Sequence, residues 1–98
     1  MAEKREIPKN TIYVSKDRKI TEYITPILTV MNNGEKEILV KSRGQANSNN
    51  LSLNQYMLNK VFKEQLKVGS IDIGTEALPN KDNRVVNVTT LCIRYLKV

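Results

Sequence analysis

Residues 11–41, TIYVSKDRKITEYITPILTVMNNGEKEILVK, decide the fold of the chain. Residues 11–15 are rich in β-branched and aromatic side chains and predict a short strand that is buried on both faces. Between residues 20 and 31 the apolar side chains recur at helical spacing, and Gly34 follows as a stop signal. Residues 36–41 contain a second apolar run. The order strand, helix, strand predicts a right-handed crossover between parallel strands.

Pro26 interrupts the pattern of this first helix. A proline inside a helix removes a backbone donor and clashes with the preceding turn, at a cost of about 3 kcal/mol when nothing compensates. We therefore expect either a kink at Pro26 or a helix that begins later than the apolar spacing suggests.

A second helix is predicted beyond residue 50, where apolar side chains cover about half of the circumference at about 100° per residue. These side chains are Leu51, Leu53, Met57, Leu58, Val61 and Phe62. The arc is wider than a helix needs to cover a sheet. The surplus, which includes Leu58, fits contact with another copy of the protein, and a well-packed monomer core is the alternative.

Two long strands, residues 68–78 and 84–98, are predicted to form a β-hairpin around the turn formers of residues 79–83. Gly69 and Gly74 are expected to mark bulges or bends. At about 3.3 Å per residue, full-length strands extend beyond a domain of this size, so the tip of the hairpin projects into solvent.

The predicted fold is α/β, as an α+β two-layer sandwich with the element order βαβαββ. Its mixed four-stranded sheet carries both helices on one face and a long hairpin arm. Residues 1–10 are predicted to be a flexible basic tail, and residues 11–98 a single domain.

The net charge of +6 and the pI near 9.6 favour a polyanionic partner such as nucleic acid or an anionic membrane surface, whereas mere solubility is the plain alternative. Cations are frequent in the first nineteen residues. They are Lys4, Arg5, Lys9, Lys16, Arg18 and Lys19.

Several classes of function are disfavoured by the composition. No apolar run is long enough to span a bilayer, and the charged start differs from a secretory signal, so we expect an intracellular protein. Histidine is absent and Cys92 is the single cysteine, so we expect no disulfide, no metal, no cofactor and no enzyme. Asp72 and Glu76 could form a carboxylate pair, but carboxylates on a strand are more often a solvated face.

Cations follow both predicted parallel strands. Lys16, Arg18 and Lys19 come after the first strand, and Lys41 and Arg43 come at the end of the second. Because parallel strands end at the same edge of a sheet, the two loops are expected to be neighbours. Asp17 is predicted to cap the first helix, and Ser48 or Asn50 the second, so that helix amides and cations together favour a phosphate.

The loop after the second strand is therefore predicted to seat a phosphate. Gly44 permits a tight turn, and Arg43 offers a bidentate fork. Side-chain amides add hydrogen bonds without sequence preference, and they belong to Gln45, Asn47, Asn49 and Asn50. An ordinary polar connection is the alternative. Lys81 and Arg84, at the tip of the arm, are expected to enter a groove of the nucleic acid.

The stretches NTIYVSKDRKITEYITPILTVMNNG, EILVKSRGQA and IDIGTEALPNKDNRVVNVTTLCIRYLK resemble the Alba family of small basic DNA/RNA-binding chromatin proteins over nearly the whole chain after residue 10. The resemblance implies a homodimer with a fold like the C-terminal domain of a bacterial translation initiation factor. It also implies DNA and RNA binding through the first loop, the Lys-x-Arg-Gly segment and the arms.

Matched by position, the resemblance assigns residues of this chain to the nucleic-acid face: Lys16, Arg18, Lys19, Lys41, Arg43, Gly44, Lys81 and Arg84. It implies that Lys16 is a candidate for acetylation, which would remove a phosphate contact. It also implies that Phe62 packs between dimers on nucleic acid. Two departures concern the amide-rich segment NSNNLS, which replaces a basic residue, and a longer first loop that contains Asp17.

The expected partners are double-stranded DNA, RNA and a second copy of the chain, in nucleic-acid packaging, chromatin organisation or RNA protection. A nucleoid-associated or cytoplasmic location is expected, or a nuclear or cytoplasmic one in a eukaryote. Phosphate contacts predict weak sequence preference and strong salt dependence. The alternative is a structural subunit of a ribonucleoprotein such as a ribonuclease P type complex.

Overall fold

In the computed structural model, which describes residues 10–98, a four-stranded sheet in the order β1-β2-β4-β3 is covered on one face by two α-helices. The elements are β1 (Thr11–Tyr13), α1 (Ile24–Asn32), β2 (Glu37–Arg43), α2 (Ala46–Tyr56), β3 (Leu66–Pro79) and β4 (Val85–Lys97). β1 pairs parallel with β2, and the other pairings are antiparallel. The predicted fold class, crossover and mixed sheet are confirmed.

The core lies between the helices and one face of the sheet. Ile38 and Val40 of β2 alternate with more exposed neighbours, and they lie opposite Tyr95 and Ile93 of β4 in register. All four side chains are fully buried. The opposite face of the sheet, which we call the open face, has no helix on it among the described residues.

β1 departs from the prediction of burial on both faces. Ile12 and Val14 are buried, but Tyr13 is 54% exposed on the open face. The reason is that β1 is an edge strand with helices on one side only. Of the predicted tail, residues 1–9 lie outside the described residues, and the carbonyl of Asn10 accepts a hydrogen bond from the Leu39 N–H at 2.8 Å.

The first helix begins later than its apolar spacing suggests, as Pro26 predicted. A 3-10 turn, Ile20–Tyr23, precedes α1, and Pro26 therefore lies in the first turn of α1, where its missing N–H is not needed. Asp17 does not cap this segment, which corrects the prediction. The Lys19 N–H donates instead to the carboxylate of Glu22, at 2.9 Å from Oε2.

The second helix begins earlier than predicted. α2 starts at Ala46, so the amide-rich residues form its first turns, and Ser48 and Asn50 lie inside the helix and do not cap it. A π-helical turn, Met57–Val61, continues α2. Phe62 follows this turn and is only 3% exposed in the core, so little of its ring is available for the implied packing between dimers, which stays a prediction.

β3 and β4 form the predicted hairpin. Gly69 is a bulge, because the pairing shifts there, and a Cβ on it would lie 2.9 Å from Cγ of Leu96. Gly74 pairs in register with Thr90 and marks no bulge. Beyond Thr90, which pairs with the last residue of β2, the hairpin continues as two strands only. We call residues 75–89 the arm, and its projection agrees with the prediction.

Candidate nucleic-acid interface

Three segments meet at one end of the sheet, and cations lie in or beside each of them. The first loop, residues 14–19, follows β1, and the second loop, Gly44 and Gln45, follows β2. The arm leaves the sheet at the same end, because Arg43, the last residue of β2, pairs with Thr90 of β4. We call the two loops, Arg43 and the arm the basic edge.

Asparagine and glutamine side chains fasten the first loop to α2. The Asn49 amide donates to the carbonyls of Ser15 and Lys16, at 3.2 Å each. The Lys16 ammonium donates to the side-chain carbonyl of Gln45 at 3.4 Å. The Tyr23 hydroxyl accepts a hydrogen bond from the Ser15 N–H at 2.7 Å. The first loop is therefore held against the second loop.

A second set of hydrogen bonds fastens the second loop to the root of the arm. The carbonyl of Thr89 accepts from the Gly44 N–H at 2.9 Å and from the Asn47 amide at 2.8 Å. The Ser42 hydroxyl donates to Oδ1 of Asn47 at 2.7 Å. Gly44 has φ +60°, which agrees with the tight turn predicted there.

The asparagines make hydrogen bonds within the protein that were not predicted. Asn50 is fully buried, and its amide donates to the Val40 carbonyl and the Ser42 hydroxyl. Asn47 and Asn49 also donate to backbone carbonyls. Their amides hold the basic edge together within the protein, whereas the side-chain carbonyl of Gln45 accepts a hydrogen bond from the Lys16 ammonium.

The cations occupy distinct places on this edge. Lys16, Arg18 and Lys19 are exposed in the first loop. The Arg43 guanidinium is exposed, and its Nη1 lies 2.9 Å from Oε1 of Glu76 on the arm. This ion pair was not predicted, since it depends on the register of β3 and β4.

Of the remaining predicted cations, two lie at the tip of the arm and the third, Lys41, lies beside the first loop, where its carbonyl accepts a hydrogen bond from the Val14 N–H at 2.8 Å. Lys81 and Arg84 are exposed in the turn of the arm, which Asn80 closes by accepting hydrogen bonds from the N–H groups of Asp82 and Arg84. The five pairs of the arm beyond Thr90 span about 17 Å at about 3.3 Å per residue. Lys41 is half-buried on the open face, between Tyr13 and Cys92 in register.

A family model described as Alba matches residues 10–75 of the chain. The chain belongs to the Alba family. Among its relatives, the DNA/RNA-binding protein Alba of Methanococcus maripaludis is 29% identical over 89 residues, which cover 90% of this chain and 98% of the relative.

Solved Alba structures have the same fold. Alba from Thermoplasma volcanium matches with a TM-score of 0.78 and 25% identity, over 89% of this chain and 99% of the other. ALBA1 from Trypanosoma brucei matches with a TM-score of 0.75 and 17% identity, over 95% of this chain and 73% of the other. The second likeness shows the fold alone.

Two side chains of the described residues have shifted pKa values, those of Cys92 and Tyr95. Burial raises the pKa of the Cys92 thiol; Lys41 opposes this effect and Asp72 adds to it. Burial also raises the pKa of Tyr95, whose hydroxyl donates to Asn54. Over residues 10–98, no cluster of three or more His, Cys, Asp or Glu side chains could hold a metal ion. None of the described helices is long and apolar enough to cross a membrane.

Proposed function

We propose that this Alba-family protein binds duplex DNA and RNA through the basic edge, with little sequence preference and without enzymatic activity. The observation that carries the proposal is the fastening of two loops, which bear or adjoin Lys16 and Arg43, to the root of an arm with a cationic tip. A relative named DNA/RNA-binding protein Alba supports it. Phosphate contacts dominate this kind of interface and carry no sequence information directly.

Each cation has a role in the proposal. Arg43 presents the N–H groups that are not used by Glu76 to one phosphate, and Gly44 lets the backbone approach closely. Lys16, Arg18 and Lys19 bind the adjacent phosphates as point charges. The proposed nucleic-acid face also includes Lys41, Gln45, Asn49, Lys81 and Arg84. Asn49 acts there through the first loop, which it positions.

We propose that the protein assembles as a homodimer, because the two helices leave part of their face of the sheet exposed. Ile71 and Ile73 pair with buried residues of β4 and so point to the helix side, yet they are 52% and 72% exposed. Leu51 of α2 is 51% exposed, and Leu58 is half-buried. We call these four side chains the apolar strip. A second copy that covers the strip would place two basic edges on one particle.

The proposed role is packaging or chromatin organisation of nucleic acid, or protection of RNA, inside the cell. Lys16 is the proposed modification site. Its ammonium is exposed, and the hydrogen bond it makes within the described part of the chain is to Gln45, so an acetyl group can be added without disturbing the core. Acetylation would remove one positive charge from the first loop.

A salt titration of binding to matched DNA and RNA duplexes tests the proposal. We expect log K to fall linearly with log salt by about 0.9 for each neutralised phosphate of B-DNA, with similar affinities for unrelated sequences. Strong preference for one sequence, or affinity that does not change with salt, would contradict backbone binding.

The exposed apolar strip also supports a second candidate, a structural subunit of a ribonucleoprotein such as a ribonuclease P type complex. In that case a different protein would cover Ile71 and Ile73. Light scattering of the purified chain separates the two candidates. A stable dimer supports the first, and a monomer that dimerises only poorly or aggregates supports the second.

A further inference from the structure

The open face of the sheet carries a trough that shares several cations with the proposed backbone contacts and adds Tyr13, Asp72 and Glu76 to them. Its volume of about 890 Å³ lies in the range of about 300–1,000 Å³ that is typical of small-molecule sites. The side chains that carry its chemistry are Tyr13, Lys41, Arg43, Gln45, Asp72 and Glu76. The trough therefore spans the sheet from the edge strand β1 to the edge strand β3.

A cross-strand row forms the floor of the trough. Tyr13 pairs with Lys41, Lys41 with Cys92, and Cys92 with Asp72, so all four side chains point to the open face. The Tyr13 side chain is 54% exposed and is not part of the core. An exposed aromatic ring on a sheet surface can stack on a nucleic-acid base, since every base has a π-face.

The charges that line the trough are unevenly distributed. Lys16, Lys41 and Arg43, together with Asp17, line it toward β1 and β2. Asp72 and Glu76 line it on β3, where Glu76 pairs with Arg43 and Asp72 has no ion pair among the described residues. A nucleotide has the complementary distribution. Its phosphate is anionic, and the exocyclic amino groups of adenine, cytosine and guanine are hydrogen-bond donors that a carboxylate accepts.

The trough also opens onto the basic edge, because Lys16, Arg43 and Gln45 belong to both. A strand bound by its phosphates at the edge can therefore place an adjacent base on the open face without leaving its phosphate contacts. A paired base cannot do this, since its faces are stacked inside the duplex.

We propose that the trough binds one unpaired nucleotide of the bound nucleic acid, with its base stacked on Tyr13 and its exocyclic amino group directed to Asp72. This inference rests on the proposed function, because the same strand is held at the basic edge. It gives the protein a preference for duplexes that end in, or contain, unpaired amino-bearing bases.

The test compares a blunt duplex with the same duplex carrying a short adenine overhang, with binding measured by fluorescence anisotropy at fixed salt. For the wild type we expect the overhang to increase affinity about tenfold, in the range known for stacking on an aromatic side chain. Tyr13→Ala should remove this increase and leave blunt-duplex affinity unchanged. Tyr13→Phe, which keeps the ring, should retain it.

A second comparison tests the end of the trough formed by β3. With uracil, which has no exocyclic amino group, the overhang should contribute about threefold less than with adenine. Asp72→Ala should abolish this difference. Glu64→Ala, an exposed carboxylate outside the trough lining, is the charge-matched control and should preserve the difference.

The outcomes separate this inference from the proposed function. Equal affinity of the wild type for blunt and overhanging duplexes would overturn the inference and leave duplex binding intact. Failure to bind either duplex would overturn the proposed function as well. Equal losses on both duplexes in Tyr13→Ala, or a changed oligomeric state of that variant by light scattering, would assign Tyr13 to structure or to a protein interface and overturn the inference.

Discussion

The two loops and the arm present cations at the same end of the sheet but are supported in different ways. Asn49 donates to the backbone carbonyls of the first loop, and Asn47 of α2 donates to the carbonyl of Thr89 at the root of the arm. Beyond the contacts of Glu76 and Thr89, the described contacts of the arm are the pairing between its own two strands and the closure of its turn by Asn80. We expect the outer part of the arm to lose more conformational freedom than the loops when nucleic acid binds. A cation in the loops should therefore contribute more to duplex affinity than a cation at the tip of the arm.

The largest effect is expected from the loops. The double variant Lys16→Ala with Arg43→Ala should weaken duplex binding about a hundredfold, since each charged contact contributes about 1.5 kcal/mol or more and 1.4 kcal/mol is tenfold. Each single variant should weaken binding to all sequences and flatten the salt slope by about one. Titrations at several salt concentrations measure both quantities.

Lys63→Ala is the matched control, because Lys63 is exposed near Leu66, at the opposite end of the sheet. Lys63→Ala should change the duplex affinity and the salt slope less than either loop variant does. A loss confined to one sequence in the loop variants would contradict backbone binding.

The tip of the arm should contribute less affinity for the same number of charges. Lys81→Ala with Arg84→Ala is expected to weaken binding about tenfold, because fixing each side chain costs about 0.5–1.5 kcal/mol on association. The salt slope should nevertheless fall by about two, as in the loop variant, since the number of released counterions is the same. Equal affinity losses in the two double variants would refute the proposed difference between loops and arm.

Removal of a fastening side chain should affect affinity without affecting charge. Asn47→Ala loses the hydrogen bonds to Thr89 and Ser42, which should lower the free energy of unfolding by about 1–2 kcal/mol. Duplex affinity should fall a few-fold, and the salt slope should stay unchanged because no phosphate contact is lost. Denaturant unfolding and salt titration measure the two effects.

Asn59→Ala is the control, because Asn59 is exposed and its amide donates, within residues 10–98, to Gln55 one helical turn away. A flattened salt slope in Asn47→Ala would mean that Asn47 contacts phosphate directly and would contradict the fastening role.

The smallest effect is expected from Glu76, which links the two regions. Its exposed ion pair with Arg43 competes with a phosphate, and exposed pairs contribute about 0–1 kcal/mol. Glu76→Gln should therefore raise duplex affinity by no more than about fivefold, and the gain should vanish in the Arg43→Ala background. A gain of equal size in both backgrounds would reflect general charge and not release of Arg43.

Local patterns were sufficient to predict most of the fold. The crossover, the later start of α1 at Pro26 and the bulge at Gly69 follow from apolar spacing and backbone chemistry within a few residues. The start of α2 did not follow, because asparagine is a poor helix former. Its side chains are satisfied by backbone carbonyls of Val40 and Thr89, which only the folded chain brings near.

The positions of some candidate site residues could also be predicted from the sequence. The meeting of Lys16 and Arg43 at one edge follows from strand direction alone. Three features could not be predicted from the sequence, because they depend on how side chains pack in the folded chain. They are the half-buried position of Lys41, the pairing of Arg43 with Glu76, and the burial of Phe62. Phe62 follows a π-helical turn, which alters the helical spacing from which its position was read.

Backbone amide chemical shifts measured by NMR during titration with a blunt duplex test the central claim most directly. If the basic edge binds nucleic acid, the shifts should cluster in residues 14–19, in residues 43–49 and in the arm, and residues 33–36 and 63–66, at the opposite end of the sheet, should stay unchanged. Shifts at that opposite end, with the first loop and the arm unaffected, would show that the basic edge is not the binding site.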